Sequence, residues 1–513
     1  MELRPYQVEA IDRITERGNL LLAMVMGAGK TAAAVAAIRA LRRQRRVDCG
    51  VVFAPKSTFG QWQREIERWD PRAKAQIIVG SKDERMVGYK RAWRYHYNIV
   101  GYDAAFIHDW DLVKAYLPLD FIVCDEVTAL KSFKAKRSQR AKLLGKRSEV
   151  RIGLSGQPVE NRPEELFSIM EFLDAQVLGP FPKFDRTFIV RDGYGRPRRY
   201  RNLHLIRNRL GPAMYRKTRD DIKQWLPEKV EMPMPVPMDR VTQRLHSLIK
   251  DDLREAIDKA VSAGVGGYFD VAAHYGRIDD YDTKGLMGQV MARLTAMRML
   301  ASHPRLLRRS ADEFDSPVSK AGSEYASELK AAGLLDGLPS DNAKLDALLE
   351  QIDGILDEDP RHKLVCFTYF KPMLAMIGDR LKVPYVWITG DSSAKDRDSR
   401  IVSFNTDPAV RVFLSTDAGA YGIDLNQGSH VINYDLPWSA GALAQRIARI
   451  DRTSSGFATI TVLHMFCEDS VEERMYAMLQ QKLKVAKAFL DGEFDARSGS
   501  LKLDLQSLRE FLG

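Results

Sequence analysis

Leu20-Leu21-Leu22-Ala23-Met24-Val25-Met26-Gly27-Ala28-Gly29-Lys30-Thr31 is the stretch that decides the fold, and an alanine-rich segment runs on from it to Leu41. The apolar run suits a strand buried on both faces, and the segment after Lys30 has helical spacing. Gly27 and Gly29 let the backbone turn with its N–H groups facing an anion, at a helix N-terminus that already favours negative charge. Lys30 is placed to reach β and γ phosphates, and the Thr31 hydroxyl to ligate Mg²⁺. The fuller phosphate-loop pattern has a glycine five positions before Gly29, where this chain has Met24.

A partner motif lies downstream. Phe121-Ile122-Val123-Cys124 is a second apolar run, and Asp125-Glu126 follow it directly. An acid at the C-terminal end of a parallel strand points into the crevice where ligands bind. Asp125 suits Mg²⁺, held through water, and Glu126 suits orienting and deprotonating an attacking water. Two solvated acids in a turn are the plainer reading, and the loop upstream weighs against it. Together the motifs point to nucleoside triphosphate chemistry.

Outward from these motifs, apolar runs alternate with amphipathic stretches from Leu20 to about Leu173, Gly50–Ala54 among them. The pattern returns after about residue 340 with Leu364–Phe367, Val410–Leu414 and His430–Tyr434 as strands, and Ala343–Leu356 and Pro372–Leu381 as helices. The fold class expected is α/β, two parallel sheets flanked by helices with a cleft between them. Residues 176–340 have fewer β-branched runs and read as mainly helical. Ser470 with Glu473 makes a capping box opening a helix from Val471 to about Leu490, with Lys482, Lys484 and Lys487 on it.

Composition bounds the partners. Among 513 residues, Lys and Arg number 78 against 68 Asp and Glu, a surplus that favours phosphate backbones. The densest basic run, Arg42-Arg43-Gln44-Arg45-Arg46, reads as the solvated end of a helix. No run of about 18 apolar residues suggests a membrane span, and Met1–Pro5 has no secretory apolar core. Cys49, Cys124, Cys366 and Cys467 are far apart and form no CxxC pair, which argues against cysteine-bound zinc or a disulfide framework. A reduced, cytoplasmic setting is expected.

Further motifs resemble those of helicase superfamily II, and within it the Swi/Snf-like DNA translocases. Leu3-Arg4-Pro5-Tyr6-Gln7 resembles the opening motif, implying Gln7 on the adenine edge with Arg4 beside it. Ala54-Pro55-Lys56-Ser57 with Trp62 through Trp69, and Gly101-Tyr102-Asp103, are similar to strand-grip motifs. Asp125-Glu126 with Ala129-Leu130-Lys131-Ser132 resembles motif II. Leu154-Ser155-Gly156-Gln157-Pro158, with Asn161 and Glu165-Leu166, resembles motif III. Phe367-Thr368-Tyr369, Ser415-Thr416-Asp417-Ala418-Gly419 with Gly422-Ile423-Asp424-Leu425, and Gln445–Arg452 resemble motifs IV, V and VI; Glu472-Glu473 and Lys482-Leu483 are similar to the closing helix. Three departures stand out: Met24-Val25 replace the usual acidic pair, Val127-Thr128 replace the Ala-His of motif II, and Ala448 replaces an acid.

The resemblance implies RecA-like lobes at 1–175 and 341–469, a mainly helical insertion or brace at 176–340, and a helical extension at 470–513. It implies ATP as substrate, bound by Arg4, Gln7, Gly27, Ala28, Gly29, Lys30, Thr31, Gly422 and Asp424, with Mg²⁺ at Thr31 and Asp125. Glu126 acts as base with Lys30; Arg449 and Arg452, three apart and so on one helix face, act as arginine fingers. Ser155, Gly156 and Gln445 couple the nucleotide to lobe closure. Lys56, Tyr102, Lys131, Ser132, Thr368 and Thr416 contact double-stranded DNA. Trp438 reads as interlobe packing.

The Arg-rich segment Arg196–Arg219 resembles the brace before Leu226-Pro227, and either lines the duplex or is a solvated helix face. Two other functions remain open: a strand-separating or branch-remodelling helicase on branched or single-stranded DNA, and an ATP-gated clamp with little turnover. No nuclease, bromodomain-like or zinc motif accompanies the motor, so chromatin remodelling is not expected. A bacterial, archaeal or viral setting in recombination, repair or replication is.

Overall fold

The computed structural model describes residues 2–156, 158, 163–191, 197–263, 285–319, 321–420, 422–491, 509 and 511. Among the described residues fifteen strands, in chain order, build the sheets: β1 Asn19–Met24, β2 Gly50–Ala54, β3 Ala75–Ile78, β4 Tyr97–Gly101, β5 Phe121–Cys124, β6 Val150–Ser155, β7 Ile189–Arg191, β8 Pro197–Tyr200, β9 Met214–Lys217, β10 Glu228–Val236, β11 Leu364–Phe367, β12 Tyr385–Ile388, β13 Val412–Ser415, β14 His430–Asn433 and β15 Thr459–Cys467. The first sheet runs β3-β4-β2-β5-β6-β1-β9 and the second β10-β15-β14-β11-β13-β12. Every pairing within both is parallel.

Burial explains why these runs are strands. In β1, Leu21 and Ala23 enter one apolar cluster while Leu20, Leu22 and Met24 enter another, so helices cover both faces. The second sheet divides likewise, with Val365 and Phe367 on one side and Leu364 and Cys366 on the other. Sheets buried on both faces read as unbroken apolar runs. Register then sets the edge. Cys124 lies beside Phe53 and Gly153, and Ala23 beside Ser155. The phosphate loop, Pro55, Asp125-Glu126 and Ser155-Gly156 therefore all leave the first sheet at one rim.

The stretch expected to be mainly helical contains four strands. Strands β7 and β8 form a small antiparallel pair, β9 is an edge of the first sheet beside β1, and β10 is an edge of the second beside β15. Strand β10 carries Pro233 and Pro235. Residues two apart direct their N–H to the same side of a strand, so both missing donors fall on the open edge, where proline is tolerated. The helices Arg240–Ser262, Leu286–Ser302, Pro304–Asp315 and Glu324–Ala331 pack into the same cluster as Val365 and Phe367. Their core is continuous with that of the second sheet.

Arg42 and Arg43 do end a helix, Lys30–Arg43, though Arg42 also pairs with Asp70 at 2.6 Å. Among the described residues no helix is long and apolar enough to cross a membrane, and all four cysteines are free.

A buried ion pair joins the helix Ala343–Glu358 to the helix Val471–Asp491: Lys344 Nζ lies 2.5 Å from Glu472 Oε2, each side chain 1% exposed. The same carboxylate accepts from Cys467 N at 3.1 Å. Removing one member leaves a buried charge without its partner. Glu472→Ala is expected to lower stability by about 3–5 kcal/mol, whereas Lys344→Met with Glu472→Leu is expected to cost less, about 1–3 kcal/mol, the Cys467 N–H being left without its acceptor. Urea midpoints of the two variants check both values.

Candidate active site between the two sheets

Gly27 and Gly29 adopt left-handed φ of +79° and +74°, and Gly29 caps the helix Lys30–Arg43. A Cβ on Gly29 would stand 2.2 Å from Gln7 Nε2, and one on Gly27 would stand 2.3 Å from the Asp451 carbonyl. Both positions need glycine for conformation and for space. Gln7 Nε2 and Tyr6 Oη donate to Ala28 O at 3.1 and 3.2 Å, while Gln7 Oε1 accepts from Arg4 N at 2.8 Å. Met24, in the place of the pattern's first glycine, is the last residue of β1 and fully buried. Its carbonyl accepts from Lys30 Nζ at 3.0 Å, and that of Val25 at 3.3 Å. Burial lowers the Lys30 pKa, an effect opposed by Glu126 and Asp125 and reinforced by Arg452 and Arg449.

Asp125 is buried beneath this loop. Its Oδ2 accepts from Trp62 Nε1 at 2.9 Å, its Oδ1 from Glu126 N at 3.1 Å, and its carbonyl from Tyr102 Oη at 2.7 Å. Burial pushes the carboxyl pKa up, against the Trp62 hydrogen bond and the Lys30 charge. Glu126 has φ +48° and ψ +58°, uncommon for a residue with a Cβ, and leads into a 3₁₀ turn at Val127–Leu130. Ser138 and Ser168 hydroxyls anchor that turn by donating to Leu130 O at 3.0 and 2.7 Å. A strained backbone held from outside in this way is a feature of functional sites.

From the second sheet, the helix Ala440–Ile447 sends Arg446 into the core, where it donates to Asp417 at 2.5 and 3.0 Å and to Asp435 O at 2.5 Å. That helix stops before Arg449. Arg449 and Arg452 therefore do not share a helix face as their spacing predicts. A single acceptor gathers them instead: Ile423 O takes Arg449 Nη1 at 3.2 Å and Arg452 Nη2 at 2.8 Å. Arg452 also pairs with Asp424 at 3.3 Å.

These groups line one cavity of about 300 Å³. Arg4, Gln7, Gly27, Gly29, Lys30, Thr31, Asp125 and Glu126 face it from the first lobe, and Gly422, Asp424, Arg449 and Arg452 from the second. The lobes touch around it. Thr453 Oγ1 donates to Gly27 O at 3.4 Å, Arg219 pairs with Asp451, and Arg64 lies 3.6 Å from Asp398.

The other expected residues are spread out. Gly156 packs on the phosphate loop, since a Cβ there would meet Met26 Cγ at 2.7 Å, and Ser155 is buried beside it. Gln445 and Lys131 are half-buried; Lys56 and Ser132 are exposed. Tyr102, Thr368 and Thr416 are not brought to that surface. All three are buried, Tyr102 Oη donating to Asp125 O as above and Thr368 Oγ1 to Asp435 Oδ2 at 2.6 Å. Thr416 Oγ1 accepts from Gly419 N at 3.3 Å. Trp438 is buried in the second lobe's core. Gln157, Asn161 and the side chains of Lys482, Lys484 and Lys487 lie outside the described residues. Sequence reasoning missed the Trp62 bond to Asp125 and the part of Gln61, Glu65 and Arg68 in lining the cavity. All four sit on the helix Phe59–Trp69, whose amphipathic spacing was the available signal.

Two parallel-sheet lobes enclosing a phosphate loop, an acidic pair and two arginines define a two-lobed, helicase-like nucleotide-binding protein. The SNF2-related domain profile matches residues 8–267 and the helicase conserved C-terminal domain residues 343–454, and the chain belongs to the SNF2-related family. It is 24% identical to the CHD3-type chromatin-remodeling factor CHR7 of Arabidopsis thaliana, covering 94% of this chain and 37% of that protein. It is 22% identical to the DNA repair and recombination protein RAD54B of Gallus gallus, covering 95% and 54%. With the human SWI/SNF-related matrix-associated actin-dependent regulator of chromatin subfamily A member 1 the identity is 25%, covering 94% and 43%. The chain thus spans between 37% and 54% of these relatives' lengths. Their origins in plant, bird and human do not favour the expected bacterial setting. The Sulfolobus solfataricus SWI2/SNF2 ATPase core in complex with dsDNA superposes with a TM-score of 0.41 at 22% identity, covering 96% of this chain and 94% of that one.

Gly422 gives a direct check on lobe spacing. Its φ is +71°, and a Cβ would lie 2.6 Å from Thr58 Cγ2 and 2.7 Å from Ser57 O across the cleft. Gly422→Ala is expected to push the lobes apart, seen as a larger radius of gyration in small-angle X-ray scattering. An unchanged radius would show that this contact does not set the spacing.

Proposed function

We propose that this chain hydrolyses ATP in the interlobe cleft and uses lobe closure to move along double-stranded DNA. The observation that carries this is the shared cavity, in which Lys30, Asp125 and Glu126 face Arg449 and Arg452. Lys30 leaves its two carbonyl acceptors for the β and γ phosphates. The N–H groups at Gly27–Thr31 take phosphate oxygens at the helix N-terminus. Arg4 and Gln7 take the adenine edge, for which the Gln7 amide exchanges its partners at Ala28 and Arg4. Glu126 orients and deprotonates the attacking water. Arg449 and Arg452 stabilise negative charge developing on the transferred phosphoryl group. Gly422 and Asp424 complete the second lobe's side of the nucleotide.

The Thr31 hydroxyl and the Asp125 carboxylate line the same cavity, and hard oxygen donors of this type fit Mg²⁺. These two residues would hold the ion, which would supply charge neutralisation at the phosphates. Trp62 holds the Asp125 carboxylate in orientation for that role.

Closure is sensed on both sides. Gly156 and Ser155 lie against the phosphate loop, and Gln445 belongs to the helix that leads to the arginines. Lys56, Lys131 and Ser132 are the first lobe's backbone contacts to DNA, chosen for phosphate and not for base sequence. Tyr102, Thr368 and Thr416 support the grip from beneath the surface. A chromatin-remodeling factor, a regulator of chromatin and a DNA repair and recombination protein are among the relatives, which supports DNA as the track.

Glu126→Gln is expected to keep ATP binding and lose hydrolysis; turnover retained at the wild-type rate would assign the base elsewhere. Arg452→Ala is expected to slow hydrolysis by about 10³–10⁵-fold, measured as phosphate release with saturating DNA. Duplex DNA is expected to raise the ATPase rate above single-stranded DNA and RNA. ATP-driven displacement of a triplex-forming strand without displacement of a duplex strand supports a translocase. Displacement of the duplex strand supports a helicase, and no stimulation by any nucleic acid supports a clamp.

A further inference from the structure

We propose that Glu358, His362 and His430 form a binding site for a first-row divalent metal ion of the zinc class, separate from the nucleotide cleft. One ligating atom from each of the three lies within 4.8 Å of the others. His430 is the first residue of β14, and His362 stands just ahead of β11, whose Leu364 pairs with His430. The two rings meet edge to face at 4.8 Å, and Phe457 closes over His362 at 5.9 Å.

An oxygen stands at Nδ1 of each ring. The Ser429 hydroxyl donates its one proton to Lys363 O at 2.9 Å and accepts from Lys363 N at 3.1 Å. Its 2.9 Å contact with His430 Nδ1 suits the tautomer in which the imidazole donates the N–H. Ile355 O, a carbonyl, can only accept, so His362 Nδ1 at 3.2 Å carries its proton as well. With Nδ1 protonated, each neutral ring offers its Nε2 lone pair to the ion.

Metal-bound histidines are arranged in this way, the second ring nitrogen giving its N–H to a fixed oxygen that sets tautomer and orientation. Glu358 ends the helix Ala343–Glu358; its side chain is 71% exposed and its Oε2 lies 3.8 Å from His362 Nδ1, so a rotamer change brings the carboxylate to the ion. Two imidazoles and a carboxylate, with room for water, is a donor set that zinc takes and that cobalt and nickel share. The nearby cations face elsewhere. Lys363 Nζ donates to Phe404 O and Asp407 O, and Arg411 to Leu356 O, Asp359 O and His362 O. An ion here would pin the end of one helix to the start of a central strand.

The test is a Co²⁺ titration of the untagged full chain, stripped with chelator and free of nucleotide. One equivalent is expected to give the intense visible absorption of four- or five-coordinate cobalt, and Zn²⁺ is expected to displace it. His362→Ala and His430→Ala are each expected to abolish the band, and Ser429→Ala to weaken affinity about 10–100-fold. Stripped variants that melt with the stripped wild type show loss of ligand and not of fold. Should His430→Ala fail to fold, the Glu358→Ala, His362→Ala pair at the more exposed positions carries the test. No single-equivalent band in the wild type, or a band that survives loss of His362, overturns the proposal.

Discussion

Two glycines with left-handed backbone set how near the lobes can come, and they do so reciprocally. Gly27 of the first lobe faces the Asp451 carbonyl of the second, and Gly422 of the second faces the Ser57 carbonyl of the first. At both points the missing Cβ is where the opposite backbone sits. Neither contact supplies much attraction. Their effect is to permit an approach close enough for arginines on one sheet to share a cavity with a lysine loop on the other. A side chain at either position would have to displace the backbone opposite it.

The charges inside the cleft are held in a way that suits a polyanion. Lys30 rests on two backbone carbonyls, and Arg449 and Arg452 converge on the Ile423 carbonyl. Neutral acceptors position these cations, and carboxylates compensate them only in part, Asp424 beside Arg452 and Asp125 with Glu126 near Lys30. Arg446 is the contrast within the same segment. It is buried against Asp417 and Asp435, and Asp435 also takes Thr368 and the Tyr369 N–H. Its charge is consumed by the fold. Preorganised, incompletely compensated cations in a partly enclosed site are what electrostatic stabilisation of a phosphoryl group requires.

Much of this was legible in the amino-acid order, and the exceptions have physical causes. The strands at 19–24, 50–54, 121–124 and 364–367 were readable because burial on both faces leaves a continuous apolar run. Strand β10 was not, because an edge strand can carry prolines and charges that disqualify a central one. The phosphate loop, the acidic pair and the two arginines were readable by type and order. The helical face assigned to Arg449 and Arg452 was not real, since the helix ends at Ile447 and a carbonyl distant in sequence gathers them. Tyr102 and Thr368 show the same limit from the other side: a hydroxyl's identity is local, but its burial is decided by the whole sheet. The histidines at 362 and 430 were invisible to spacing because only strand pairing brings them together.

The path of the chain between sheets ties these features into one device. It leaves the first sheet at β9 and enters the second at β10, with Arg219 and Pro227 in the crossing. Arg219 donates to Pro227 O and pairs with Asp451, which lies between Arg449 and Arg452. One guanidinium therefore holds the interlobe crossing and the arginine loop together. Meanwhile Val25 N, at the start of the phosphate loop, donates to Lys217 O at 2.9 Å at the end of β9. A rotation of the second lobe about this crossing would carry the arginines with it and bear on the loop that β9 supports. Under the proposed function, closure and the placement of charge at the phosphate would be one motion.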